Sequence, residues 1–191
     1  MRTTTTSGLE WDTMLFLLDH LHKDGKLRDY LFIASGCYLG LRVGDLCNLK
    51  WSDVLNKDEI YITEGKTKKR RKLTVNSNLK EVFKTVVNSR VREGRFNEGD
   101  YLFANRWGRK ITIQYLNRRL HSIFDKYHIR VQNGSTHTLR KTFGKKIYEM
   151  NGQSESSLIQ LSLIFSHNSI ATTKRYIGIT DKQIADVYLN L

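Results

Sequence analysis

The 191-residue sequence has no proline, two cysteines, and 19 acidic residues against 32 basic ones. No proline-rich or Gly/Ser-rich linker divides it, so it reads as one domain. Cys37 and Cys47 have no thiol partner at a useful spacing. That excludes a disulfide framework or a zinc site and leaves two reduced, buried thiols. No apolar run approaches the ~18–20 residues of a membrane-spanning helix. The start, MRTTTTSGLEW, lacks a basic-then-apolar signal peptide, so the expected location is cytoplasmic and nucleoid-associated. There are no internal repeats, and low complexity is confined to the threonines at residues 3–6, read with residues 7–8 as a frayed leader. No Gly-rich phosphate loop ending in Lys-Ser/Thr occurs, and the few acids form no paired-carboxylate metal cluster.

What is present is a hydrophobic content of 39%, with 3 Trp, 8 Phe and 9 Tyr, enough to pack a core. A chain of this size buries about 70% of its unfolded surface. The formal net charge is +13, which points to a polyanionic partner, nucleic acid first.

Periodicity predicts mostly helix with one small antiparallel β-hairpin, an α+β fold. Ser7-x-x-Glu10 has capping-box spacing, with an apolar helical face behind it from Met14 to Leu21. A core helix spans Leu27–Leu39 and ends at Gly40. Ile60–Ile62 and Leu73–Val75 read as strands flanking the basic stretch Glu64–Lys72. Asn78-x-x-Glu81 opens a helix to about Arg92, and Tyr101–Phe103 is a short extended piece. Further helices are expected over Ile113–Tyr127, Leu139–Met150, Leu158–Phe165 and Ser169–Ile177, the last capped by Gly178. Thr180-x-x-Gln183 opens a final helix through Leu191.

Four segments could carry chemistry. In GLRVGDLCNLKWSDV, residues 40–54, Arg42 is either a structural ion pair with Asp45 or a pre-oriented fork for a phosphate. Positions 66–72 hold six basic residues, a solvated loop for phosphates or the source of a lysine proton donor. His137 and Arg140 lie three apart on one helix side, with Gly144 leaving room for another backbone. In Ser166–Tyr176, the final tyrosine is either a boundary aromatic or a nucleophile whose phenolate is favoured by nearby cations.

The order and spacing of these pieces resemble the catalytic domain of the tyrosine recombinase (phage integrase-like) family, from about Leu9 to Tyr176. The family pattern is an arginine after Gly-Leu, a hairpin lysine, His-x-x-Arg, a second His, and a nucleophilic Tyr nine residues on. It falls on Arg42, Lys66, His137, Arg140, His167 and Tyr176, with Lys68 and Lys69 on the same hairpin as Lys66. Departures are Asp45 for a common glutamate, Ser166 for a usual glycine, and Thr74 near a usual proline.

The resemblance implies that Tyr176 attacks a scissile phosphate, leaving a 3′-phosphotyrosine and a free 5′-hydroxyl. Arg42 and Arg140 clamp the non-bridging oxygens, His137 and His167 hydrogen-bond the phosphate, and Lys66 protonates the leaving oxygen. Neither ATP nor a metal is required, and no cofactor is expected. Asp45 supports Arg42 from behind. Lys68, Lys69, Arg70, Arg71, Lys141, Lys174 and Arg175 are expected on flanking double-stranded DNA.

Poor helix formers around Tyr176 predict a loosely held helix that withdraws the tyrosine until DNA or a partner places it. The segment 181–191 would either dock on a neighbouring protomer of a tetramer or pack on its own domain. Relatives carry an additional N-terminal helical domain, of the order of a hundred residues. The chain is therefore expected to be a catalytic-domain fragment (residues 9–191) that binds site DNA weakly. A type IB topoisomerase-like enzyme and a non-catalytic basic DNA-binding module are the alternatives.

Overall fold

The computed structural model of the protein describes residues 6–105 and 107–179. The expected final helix over 181–191 lies outside them. Among the described residues no helix is long and apolar enough to cross a membrane.

Helix α1 (Trp11–Lys23) packs its Met14, Leu17, Leu18 and Leu21 face on α2 (Leu27–Leu39). The bounds of α2 are those the sequence predicts. Gly40 ends it in the left-handed region at φ 58°, which a residue without Cβ adopts cheaply. The short helices α3 (Val43–Leu46) and α4 (Trp51–Val54) lead into β1 (Glu59–Thr63) and β2 (Arg70–Thr74). The strands pair antiparallel from Glu59 opposite Thr74 to Thr63 opposite Arg70. Ile60 and Ile62 alternate into the core, while three cations of the basic run, Arg70, Arg71 and Lys72, belong to β2 rather than to the turn.

Helices α5 (Ser77–Arg92) and α6 (Ile113–Lys126) follow, with Lys50–Tyr101 and Ala104–Lys110 bridges in the extended segment between them. The last layer is α7 (Thr136–Met150), α8 (Glu155–Phe165) and α9 (Ile170–Ile177). Phe32 meets Phe103 edge-on at 5.8 Å, and Trp51 meets Phe83 at 6.1 Å, in the continuous core beneath α2 and α5.

Two expected caps move. Asn76, not Asn78, caps α5: its side chain accepts the Leu79 N–H at 2.9 Å. Ser7 caps nothing. Its N–H donates to the Gln132 carbonyl and its hydroxyl accepts the Gln132 N–H, while Glu10 occupies the N-cap of α1. Thr6 adds a bond to the Asn133 carbonyl. Residues 6–8 are thus pinned to the turn before α7 and are not part of a loose leader.

Small residues bring the functional helices together. A Cβ on Gly36 would lie 2.6 Å from Leu139 Cδ1, so α7 crosses α2 closely. A Cβ on Gly144 would meet Ile177 Cγ2 and the Phe165 ring at 2.9 Å. It is these side chains, not a second backbone, that fill the space at Gly144, and they seat α9 and the end of α8 on α7.

Candidate active site

Arg42, Arg140, His137, His167 and Tyr176 come from four separate segments and meet where the C-terminal ends of α2 and α8 face the start of α7. Arg140 is 2% exposed. It donates to the Gly40 carbonyl at 2.6 Å and to the Phe165 carbonyl at 3.0 Å, with its guanidinium 4.3 Å from the centroid of the Phe165 ring. Arg42, the extended residue before α3, donates to the same Phe165 carbonyl at 3.2 Å. One backbone oxygen therefore fixes two guanidinium groups side by side. That oxygen precedes Ser166, which ends α8 in the left-handed region at φ 52° and ψ 44°. This conformation explains why glycine would suit the position, and holding a serine in it costs roughly 1 kcal/mol.

The carboxylate behind Arg42 is Glu64, not Asp45. Glu64 is 0% exposed and lies 2.9 Å from Arg42 Nη1. It also accepts from Thr67 Oγ1 at 2.6 Å and Arg71 Nη1 at 2.8 Å. Arg42 Nη1 is buried, and the ion pair with Glu64 is its polar contact among the described residues. Burial acts to raise the Glu64 pKa, but the Thr67 hydroxyl, Arg71 and Arg42 outweigh it and bring it to about 2. Asp45 instead accepts the Gly65 N–H at 2.8 Å and anchors the root of the hairpin turn. A lone acid immediately before Gly65-Lys66, inside a basic run, was the available signal for Glu64.

Lys66, Lys68 and Lys69 are all exposed on the turn, with Lys68 at φ 59°. The charge of Lys66 adds, after burial, Arg140 and Arg42, to the lowering of the His167 pKa. Arg70 is exposed and lies 5.4 Å over the Tyr61 ring, and Lys174 and Arg175 are exposed on α9. Two of the cations expected on flanking DNA turn inward. Arg71 is committed to Glu64. Lys141 is 6% exposed, with its Nζ 5.0 Å from the centroid of the Tyr176 ring.

The Tyr176 ring packs edge-on against Phe165 at 5.3 Å and His167 at 5.2 Å. Its hydroxyl is buried in the field of the Arg140 guanidinium and makes no aligned hydrogen bond among the described residues. The nucleophile candidate is thus seated in the site, not withdrawn as its helix composition suggests. Burial raises its pKa above the ordinary 10 despite the opposing charges of Arg140 and Arg42. In this state desolvation wins, reversing the expected phenolate preference. The hydroxyl sits in the positive field of two guanidinium groups, an environment that favours an anion.

His167 Nδ1 lies 3.0 Å from Thr173 Oγ1, a buried hydroxyl of α9. Burial, then Arg140, Arg42 and Lys66, lower the His167 pKa to about 4. His137 sits at the open rim of α7, its pKa lowered by partial burial and then by Arg140, Lys141 and Arg42. Both rings are neutral at pH 7. Because their folded values lie below the unfolded 6.5, stability is complete above that value and is lost as pH falls toward about 4. The urea midpoint of the wild type is expected to decline across this window, and a His137→Gln/His167→Gln double variant to flatten the decline. A wild-type midpoint that rises on acidification through the same window would contradict this assignment.

The chain is 33% identical over 166 residues to the probable integrase/recombinase YoeC of Bacillus subtilis, covering 84% of this chain and 83% of that protein. It is 26% identical over 154 residues to the tyrosine recombinase XerH of Campylobacter jejuni, covering 81% of this chain but 42% of that protein. Against the crystal structure of XerA recombinase the TM-score is 0.74 at 26% identity, over 97% of this chain and 65% of the other. The XerH recombinase bound to a palindromic difH substrate, a post-cleavage complex, shares the fold with a TM-score of 0.73 at 22% identity, over 96% of this chain and 52% of the other. The chain therefore spans about two fifths to two thirds of several recombinases that it matches. The sequence model of the Phage integrase family matches residues 9–183, and the chain belongs to that family of tyrosine recombinases.

Proposed function

We propose that this chain is the catalytic part of a site-specific DNA recombinase that cleaves and rejoins strands through Tyr176. The observation that carries the proposal is the pair of guanidiniums, Arg42 and Arg140, held on one carbonyl with their charges acting on the buried hydroxyl of Tyr176. A scissile phosphate placed there meets donors pre-fixed for the charge that develops on its oxygens, with no reorganisation at the moment of reaction.

Tyr176 Oη forms a bond to phosphorus as the bond from phosphorus to the 5′-oxygen breaks. The phenolic proton leaves through a neutral histidine, with His137 at the rim suited to that task. The 5′-oxygen takes a proton from Lys66 and departs as a hydroxyl. Attack by a 5′-hydroxyl on the phosphotyrosine reverses the step and rejoins the strand. His167 is held at Nδ1 by Thr173. That contact occupies Nδ1 and leaves Nε2 for the phosphate, which it serves as a donor whenever it carries a proton. The incoming negative charge also raises both histidine pKa values and favours their donor forms.

Exposed Lys68, Lys69, Arg70, Lys174 and Arg175 supply sequence-independent contacts to the flanking backbone, where the nucleoid provides the substrate. Self-association on DNA completes the exchange of strands between two sites.

The test is covalent capture. The protein is incubated with a library of nicked duplexes of randomised sequence and stopped with denaturant. The DNA is then digested, and the modified peptide is mapped by mass spectrometry. A nucleotide adduct on Tyr176 is expected. An adduct on another residue, or none across the library, overturns the proposal.

A further inference from the structure

Lys141 is buried to 6% exposure on α7, directly after Arg140. Burial depresses its pKa. Among the described residues it makes no ion pair or hydrogen bond, and its close polar partner is the face of the Tyr176 ring, 5.0 Å from Nζ to the ring centroid. An ammonium taken out of water without an anion is costly, and that cost demands a compensating contact. A phenol ring supplies one through its electron-rich face, more strongly where water is excluded. The edges of Phe165 and His167 contact the same ring. Tyr176 is therefore boxed by two aromatic groups and a cation.

We infer that Lys141 is a positioning residue for the nucleophile: it holds the Tyr176 ring by a cation–π contact that strengthens as the phenol loses its proton. It touches no reacting atom. Its charge acts through the ring, whose π electrons become richer as negative charge develops on the oxygen, so the contact is stronger in the transition state than before it. Consecutive residues of α7 then divide the work. Arg140 takes the phosphate side and Lys141 the ring of the attacking side chain. A role as a backbone contact on flanking DNA would require the ammonium to leave its buried seat.

The inference rests on Tyr176 as nucleophile, and its test includes a measurement that needs no DNA. The charged and titratable groups facing Tyr176 are Arg140 and Lys141 of α7, His167 after α8, and Arg42 before α3. Lys141→Met keeps the length of the side chain and removes the charge, whereas Lys141→Arg keeps a cation able to stack. The ionisation midpoint of Tyr176 is followed by NMR of the protein carrying ¹³C-labelled tyrosine, its signal assigned against Tyr176→Phe. The midpoint is expected to move up by about half a unit in Lys141→Met and to return in Lys141→Arg. Covalent capture should slow about three- to tenfold in Lys141→Met, with equilibrium DNA binding and its salt dependence unchanged. An unmoved midpoint overturns the inference. So does a salt slope shallower by about one unit in Lys141→Met, the signature of a lost phosphate contact. Failure of wild-type capture would instead overturn the recombinase proposal, and the midpoint would still decide the role of Lys141.

Discussion

Arg140→Ala is expected to slow covalent capture by about a hundred- to a thousandfold, the cost of removing one donor aimed at developing oxyanion charge. Burial lowers its pKa to about 10, so it remains charged at pH 7. Its fork spans two carbonyls, Gly40 at the end of α2 and Phe165 at the end of α8. Removal takes away both the phosphate clamp and the tie between those two helix ends. Arg140→Lys separates charge from geometry. A lysine keeps the charge but, as a point donor on a flexible stem, cannot hold both carbonyls in one plane and stack on Phe165 as well. Its capture rate should fall nearly as far as that of the alanine variant. Single-turnover capture on a nicked duplex measures both variants, and a lysine variant within threefold of wild type would refute the geometric argument.

The helices were legible in the sequence where one local rule decided the outcome. Leu27–Leu39 is predominantly apolar after its first turn and is followed by a glycine, and the helix has those bounds. The residues that meet at the candidate site could be picked out because their order along the chain carries the family pattern. What sequence could not decide was partner choice across the fold. Arg42 has an acid three residues on, at ideal helical spacing, yet it meets Glu64 because α3 is only four residues long. The hairpin turn then folds back over it. Asn76 and Asn78 offer the same capping chemistry, and only the direction of the chain leaving β2 selects Asn76. The Tyr176 pKa is a contest between burial and charge, and burial depends on how α9 seats against Gly144, a tertiary fact.

The Glu64 cluster ties the hairpin to the arginine, and its disruption should carry the largest stability effect. Glu64→Ala is expected to destabilise the fold by about 3–5 kcal/mol, since it leaves Arg42 and Arg71 without their shared countercharge in a buried setting. Glu64→Gln keeps one acceptor oxygen and should lose less stability, but it should still slow capture, because a neutral amide holds Arg42 against the phosphate's pull less firmly. Acid behaviour gives an independent check. The Glu64 pKa of about 2 lies below its ordinary 4.5. Its contribution is therefore whole above pH 4.5 and is lost as pH falls through that value toward 2. The wild type should lose stability in this second acid limb, and Glu64→Gln should show a shallower one. The exposed carboxylates Asp19, Asp24, Asp58, Glu59 and Glu93, also lowered by their partners, contribute to the same limb. If the limb of Glu64→Gln matched that of the wild type in urea titrations, the cluster would not be what holds Arg42. The asymmetry between the two acids follows from the same geometry. Asp45 bonds to a backbone N–H and fixes only the root of the turn. Glu64 joins Thr67 and Arg71 of the hairpin to Arg42, so movement of the turn that carries Lys66 is felt at the Arg42 guanidinium.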